Sequence, residues 1–226
     1  KVRNPWYDTT CCPPNIQRLL ASLPGYFYST SAEGLYVHLY HNSELRWQGL
    51  GITQKTDYPW SDRVELTVKP EAAREFTLFL RIPGWTTQAT VTVNGAAVVA
   101  PPRPGEYFPI RRRWQPGDRV EMRLDLRPQL VAANPRLRDA YGRVAVQRGA
   151  LVYCLEQTDQ PAGVAVWDVA LASEELQPEF RADLLGGVWV LRGKGVSYPK
   201  PLVEAPLYER LPGPRPATPV ELTFIP

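Results

Sequence analysis

The stretch REFTLFLRIPGWTTQATVTVNGAAV, residues 74–98, decides the fold. Phe76, Leu78, Leu80 and Ile82 recur at every second position, the period of a strand with one face in a core. A second alternating run leads to Asn94-Gly95. That dipeptide suits a two-residue hairpin turn, in which both central residues need positive φ. The region therefore reads as strand, turn, strand, hairpin.

The same period extends outward on both sides. GLYVHLY (34–40) sets Leu35, Val37 and Leu39 against Tyr36, His38 and Tyr40. RVELTVKP (63–70) puts Val64, Leu66 and Val68 on one face. WQPGDRVEMRLDL (114–126) turns at Pro116-Gly117-Asp118 into Val120, Met122, Leu124 and Leu126. After the irregular RPQLVAANPRLRDAYG (127–142), RVAVQRGALVYCLE (143–156) reads as two strands broken at Arg148-Gly149. WDVAL, GGVWVLRG and VELTFI continue that module. In YPKPLVEAPLYERLPGPRPATP (198–219), Leu202, Val203, Leu207 and Tyr208 offer material to pack across a surface. The expected fold class is all-β: two antiparallel β-sandwich domains, residues 27–134 and 135–226, after a short helical piece at 1–26. The boundary falls within several residues of Asn134.

Composition narrows the function. The 226 residues carry a net charge of +3, too small a surplus to imply nucleic acid or an anionic membrane. Arg111 to Trp114 (RRRW) is read as a solvated strand end. No apolar run approaches the ~20 residues of a membrane span, and no signal peptide opens the chain. Lys1 stands where a Met would, and VELTFIP ends without a closing turn. Both ends are expected to be cuts in a longer protein, with the second sandwich truncated.

The chemistry sits near the amino end, in DTTCCPPNIQRLL (8–20). Ile16, Leu19, Leu20 and Leu23 fall at i, i+3, i+4 and i+7, the stripe of a short helix. Asn15 is its expected N-cap and Pro24-Gly25 its stop. So short a helix needs a partner, and the chain offers no second one of comparable quality. Cys11 and Cys12 stand at its mouth. A disulfide between neighbours would be strained and would constrain almost no chain. Thiolates gain from a helix N-terminus, and adjacent thiolates can share one zinc ion, though a full site needs further ligands. Cys154, in LVYCLE, is read as a small buried hydrophobe. His38 and His41 are read as surface residues. Trp47, Trp60, Trp85 and Trp114 either stack on sugar rings or fill a seam between domains. A thiol redox module lacks its C-x-x-C pattern.

CCPPN with Arg18, YVHLY with Ser43, RIPGW, VTVNG, YFPIRRRWQPGD and VAVQRGALVYCLE together resemble glycoside hydrolase family 127, typified by bacterial β-L-arabinofuranosidases. Ala150 stands where the commoner pattern has Pro. The resemblance implies a longer enzyme: an (α/α)6 catalytic barrel followed by two β-sandwiches, with residues 1–26 as the last piece of the barrel. It also implies that Cys11 is the nucleophile and a ligand of Zn2+, and that Cys12 is a second ligand. The remaining ligands and a glutamate general acid/base would lie upstream, so the chain alone would be inactive. The implied partner is an oligosaccharide or glycan substrate, with a possible homodimer and neither nucleic acid nor membrane. Reduced zinc-binding thiols point toward the cytoplasm, but the compartment stays open. The alternative is a non-catalytic β-sandwich module for sugar binding or domain packing.

Overall fold

The computed structural model describes residues 11–199, 208, 210 and 216–226. The described chain is mostly strand with one short α-helix, α1, at Cys12–Ser22. It divides into two compact units, Lys1–Asp125 and Leu126–Pro226.

After α1 and a 3₁₀ turn at Leu23–Tyr26, the first unit contains ten strands. They are β1 (Tyr28–Thr30), β2 (Gly34–Val37), β3 (Ser43–Trp47), β4 (Leu50–Thr56) and β5 (Arg63–Pro70). Next come β6 (Arg74–Arg81), β7 (Ala89–Val93), β8 (Ala96–Ala97), β9 (Tyr107–Trp114) and β10 (Asp118–Leu124). One sheet has the order β1-β2-β6-β9, the other β3-β4-β5-β10-β7-β8. Inward residues of both sheets share one core: Leu35, Val37, Leu78 and Leu80 from the first, Val64, Leu66, Val68 and Met122 from the second. The alternation in the sequence predicts these residues, because only one face of each strand is shielded from water.

Two turns hold the register. Asn94 and Gly95 have φ of 52° and 80° between the paired Val93 and Ala96, as the primed hairpin turn requires. Asp118 joins this turn to the next: its Oδ1 accepts from Asn94 Nδ2 at 2.8 Å, its Oδ2 from the Gln115 N–H at 2.9 Å. Strands β2 and β6 run parallel, unlike the other described pairs. Gly34 opens that pair against Thr77, where a Cβ would lie 2.0 Å from the Thr77 carbonyl oxygen.

The alternation of GLYVHLY breaks at its end. Leu35 and Val37 are buried, but the strand stops at Val37 and the core takes Tyr40 in place of Leu39. The Tyr40 hydroxyl donates to the Arg81 carbonyl at 2.6 Å, satisfying the polar tip of a buried ring.

The second unit holds β11 (Pro128–Ala132), β12 (Val144–Arg148), β13 (Leu151–Tyr153), β14 (Val169–Arg181), β15 (Val188–Ser197) and β16 (Thr218–Phe224). They form two three-stranded antiparallel sheets, β11-β12-β13 and β14-β15-β16. Val146, Tyr153, Leu176, Leu191, Leu222 and Phe224 make its main core. A bulge between Leu171 and Leu176 interrupts the β14 pairing with β15. Strand β11 pairs with β12, so the division between units lies upstream of Asn134. Of the proline-rich segment, Leu202, Val203 and Leu207 lie outside the described residues, and Tyr208 is exposed.

Candidate functional site

The cysteine pair occupies the N-terminus of α1. Cys11 is the N-cap position and the helix begins at Cys12, with Pro13 and Pro14 in its first turn. This corrects the expected cap at Asn15. Proline fits a first turn because its fixed φ suits the helix and its missing N–H has no partner there anyway. Asn15 lies inside, its N–H donating to the Cys11 carbonyl at 3.3 Å. Its side-chain oxygen accepts from the Arg18 guanidinium at 2.7 Å. The two prolines also halve the amide N–H groups left free at this terminus, so the helix end alone is a poor anion site.

Helical geometry sorts the two thiols. At 3.6 residues per turn, Cys11 heads a face with Asn15, Arg18 and Ser22, whereas Cys12 heads the face of Ile16, Leu19 and Leu23. One cysteine thus faces polar groups and its neighbour the apolar stripe. Both are exposed free thiols, and their sulfurs stand 3.7 Å apart. Two thiolates on one tetrahedral zinc, each about 2.3 Å from the ion, stand about 3.8 Å apart. The pair therefore fits two corners of such a site. Among the described residues no group of three or more His, Cys, Asp or Glu side chains could complete it.

The apolar stripe of α1 is unburied: Ile16, Leu19 and Leu20 are each more than half exposed. Leu19 and Leu23 line an apolar cavity of about 580 Å3 together with Tyr26, Tyr28, His38 and Arg81. His38 is half-buried there, its ring still reaching the surface. Its Nδ1 lies 2.5 Å from the Tyr107 hydroxyl and its Nε2 2.7 Å from Ser29 Oγ. Burial, and then the Arg81 guanidinium, hold this imidazole below its ordinary pKa. A lone His in an alternating run carries no signal for such a cluster, because Ser29 and Tyr107 are distant in sequence. His41 is exposed, as expected.

Other candidates separate by burial. Trp114 is fully buried, its indole N–H donating to the Phe76 carbonyl at 3.1 Å. Trp47 and Trp85 pack against the core, and only Trp60 of the four is exposed. Trp167, which the sequence reading passed over, is 86 % exposed. Cys154 is also exposed, although its backbone bridges to Ile225. It lies at the end of β13, where alternation turns it away from the core that holds Tyr153. Arg111 to Trp114 closes β9, with Arg112 stacked over Trp114 and 3.6 Å from Asp118. Among the described residues no helix is long and apolar enough to cross a membrane.

The described residues thus form a β-sandwich unit and a second β-rich unit, with a helix tipped by paired thiols ahead of the first. Residues 34–126 match the model of the β-L-arabinofuranosidase GH127 middle domain, and residues 128–226 that of the glycoside hydrolase family 127 C-terminal domain. The chain belongs to glycoside hydrolase family 127. It is 37 % identical to a non-reducing end β-L-arabinofuranosidase of Bifidobacterium longum subsp. longum, over 98 % of this chain and 35 % of that protein. A GH127 β-L-arabinofuranosidase from Geobacillus stearothermophilus T6 superposes with a TM-score of 0.86 at 39 % identity, over 100 % of this chain and 36 % of that one. A further GH127 β-arabinofuranosidase gives 0.82 at 32 % identity, over 99 % and 37 %. The chain thus spans about a third of the length of these relatives.

Proposed function

We propose that this chain supplies the nucleophile and the two β-domains of a retaining glycoside hydrolase that cleaves β-L-arabinofuranosides. The observation that carries the reading is the exposed cysteine pair, 3.7 Å apart, at the helix tip of a chain from this family. Cys11, on the polar face, is the nucleophile and one metal ligand; Cys12, on the apolar face, is a second ligand. A bound zinc ion would supply the charge that keeps Cys11 a thiolate, since a free thiol of pKa about 8.5 is mostly protonated at neutral pH.

The Cys11 sulfur forms a bond to the anomeric carbon as the bond to the leaving oxygen breaks. A carboxylic acid from outside this chain gives that oxygen its proton. Water, giving a proton to the carboxylate so formed, then attacks the anomeric carbon from the face that the leaving oxygen left, opposite the sulfur. The carbon–sulfur bond breaks, the Cys11 thiolate and the carboxylic acid are returned, and configuration is retained. The remaining zinc ligands also come from outside the chain, so the chain alone is inactive.

Of the tryptophans that a sugar-stacking sandwich could use, Trp114, Trp47 and Trp85 serve the core, which leaves Trp60 and Trp167 to that alternative. The test is the full-length parent enzyme on an aryl β-L-arabinofuranoside. Cys11→Ala abolishes turnover while substrate still binds, and Cys12→Ala lowers both bound zinc and turnover. Full activity in Cys11→Ala would end the reading.

A further inference from the structure

We propose that His38 is a positioning residue for the helix that carries Cys11, fixing its base to the four-stranded sheet. The inference rests on the reading of Cys11 as nucleophile. Helix α1 runs into the 3₁₀ turn, which closes with the Phe27 N–H on the Pro24 carbonyl, and β1 begins one residue later. His38 holds this junction by both its main chain and its ring. Its N–H donates to the Phe27 carbonyl at 2.8 Å, and its Nε2 meets Ser29 Oγ at 2.7 Å.

The clamp is anchored from the other side. Arg81 Nε donates to the His38 carbonyl at 2.6 Å, and the Tyr107 hydroxyl reaches Nδ1. Tyr36 stacks on the imidazole, with planes 17° apart, and on Phe79, with centroids 4.2 Å apart. Residues of β1, β2 and β9 thus meet at one ring, and β6 holds the main chain behind it. No side chain of α1 is buried, so among the described residues the helix is held to the sheet at this junction and by Leu19 and Leu23 beside it.

Leverage connects the clamp to chemistry. The helix is about 16 Å long, so a tilt of about 4° at its base moves the cysteine end by about 1 Å. A displacement of that size costs about a hundredfold in rate when reacting atoms must be aligned.

The test compares His38→Ala, His38→Gln and Ser29→Ala in the full-length parent, measuring kcat, KM, bound zinc and thermal midpoint. The expected result for His38→Ala is a loss of about ten- to a hundredfold in kcat, with KM within about twofold and zinc content unchanged. His38→Gln, which keeps a donor and an acceptor, recovers part of that loss. Ser29→Ala gives a smaller loss of the same type. A kcat within twofold of the native value, or a loss matched only by a loss of folded protein, overturns the proposal. Hydrogen exchange on the present chain reads the clamp without turnover: His38→Ala speeds exchange across residues 16–27, and unchanged exchange there sinks the proposal. Activity in Cys11→Ala would instead break the nucleophile reading, leaving the exchange result to stand alone.

Discussion

Helix α1 and strand β6 are built from similar amounts of apolar side chain and meet opposite fates. In β6 and just beyond, Leu78, Leu80 and Ile82 are wholly buried between two sheets. In α1, Ile16, Leu19 and Leu20 stay in solvent and no residue is buried. The stability of the first unit therefore resides in the sandwich, while the cysteine pair proposed to carry the chemistry sits on an element that the described residues leave exposed. Burial of about 25 cal/mol per Å2 favours the sandwich core and contributes little to the helix.

The largest effect that tests this contrast comes from the core. Trp114 is fully buried, 5.7 Å from the Phe76 ring and hydrogen-bonded to its carbonyl. Trp114→Ala is expected to destabilise the first unit by about 3–5 kcal/mol, read by urea titration. A loss below about 1 kcal/mol would mean that the sandwich core does not carry the unit.

Next in size is the turn lock at Asp118. Burial pushes its carboxyl pKa up, but the Gln115 N–H, the Asn94 amide and the Arg112 charge outweigh this and hold it below the usual value. Asp118→Ala leaves those donors unmatched and is expected to cost about 1–3 kcal/mol at pH 7. A depressed folded-state pKa contributes stability above the unfolded value of 3.8 and loses it as pH falls through the folded value. The native and Asp118→Ala stabilities should therefore converge in acid. A gap independent of pH would assign the lock to packing.

Legibility followed how local each signal is. Alternation in β5, β6 and β10, and Asn94-Gly95, depend on neighbours in sequence, and the structure follows them. The helix start escaped because Pro13-Pro14 moves it upstream of Asn15, a residue whose type alone suggests a cap. Tyr40 replaced Leu39 in the core because a distant carbonyl, that of Arg81, satisfies its hydroxyl. The cysteine pair was visible as a rare adjacency. The His38 cluster was not, since it assembles from β1, β2, β6 and β9 only after the sheet forms. Cys154 reads as core from its strand and is exposed, because alternation fixes which residues share a face but not which face is covered.

The smallest effect is the sharpest test of the comparison. Leu20 is 61 % exposed on α1, so Leu20→Ser removes little buried surface. The change in helix propensity is a few tenths of a kcal/mol, and the expected loss in this chain is within about 0.5 kcal/mol. The same substitution in the parent enzyme is expected to cost about 2–5 kcal/mol on the proposal that a helical domain outside this chain covers the stripe. Equal and small losses in both would leave α1 uncovered even in the longer protein. The cysteines would then stand on an unsupported helix, and the His38 junction, with Leu19 and Leu23 beside it, would be its hold on the fold.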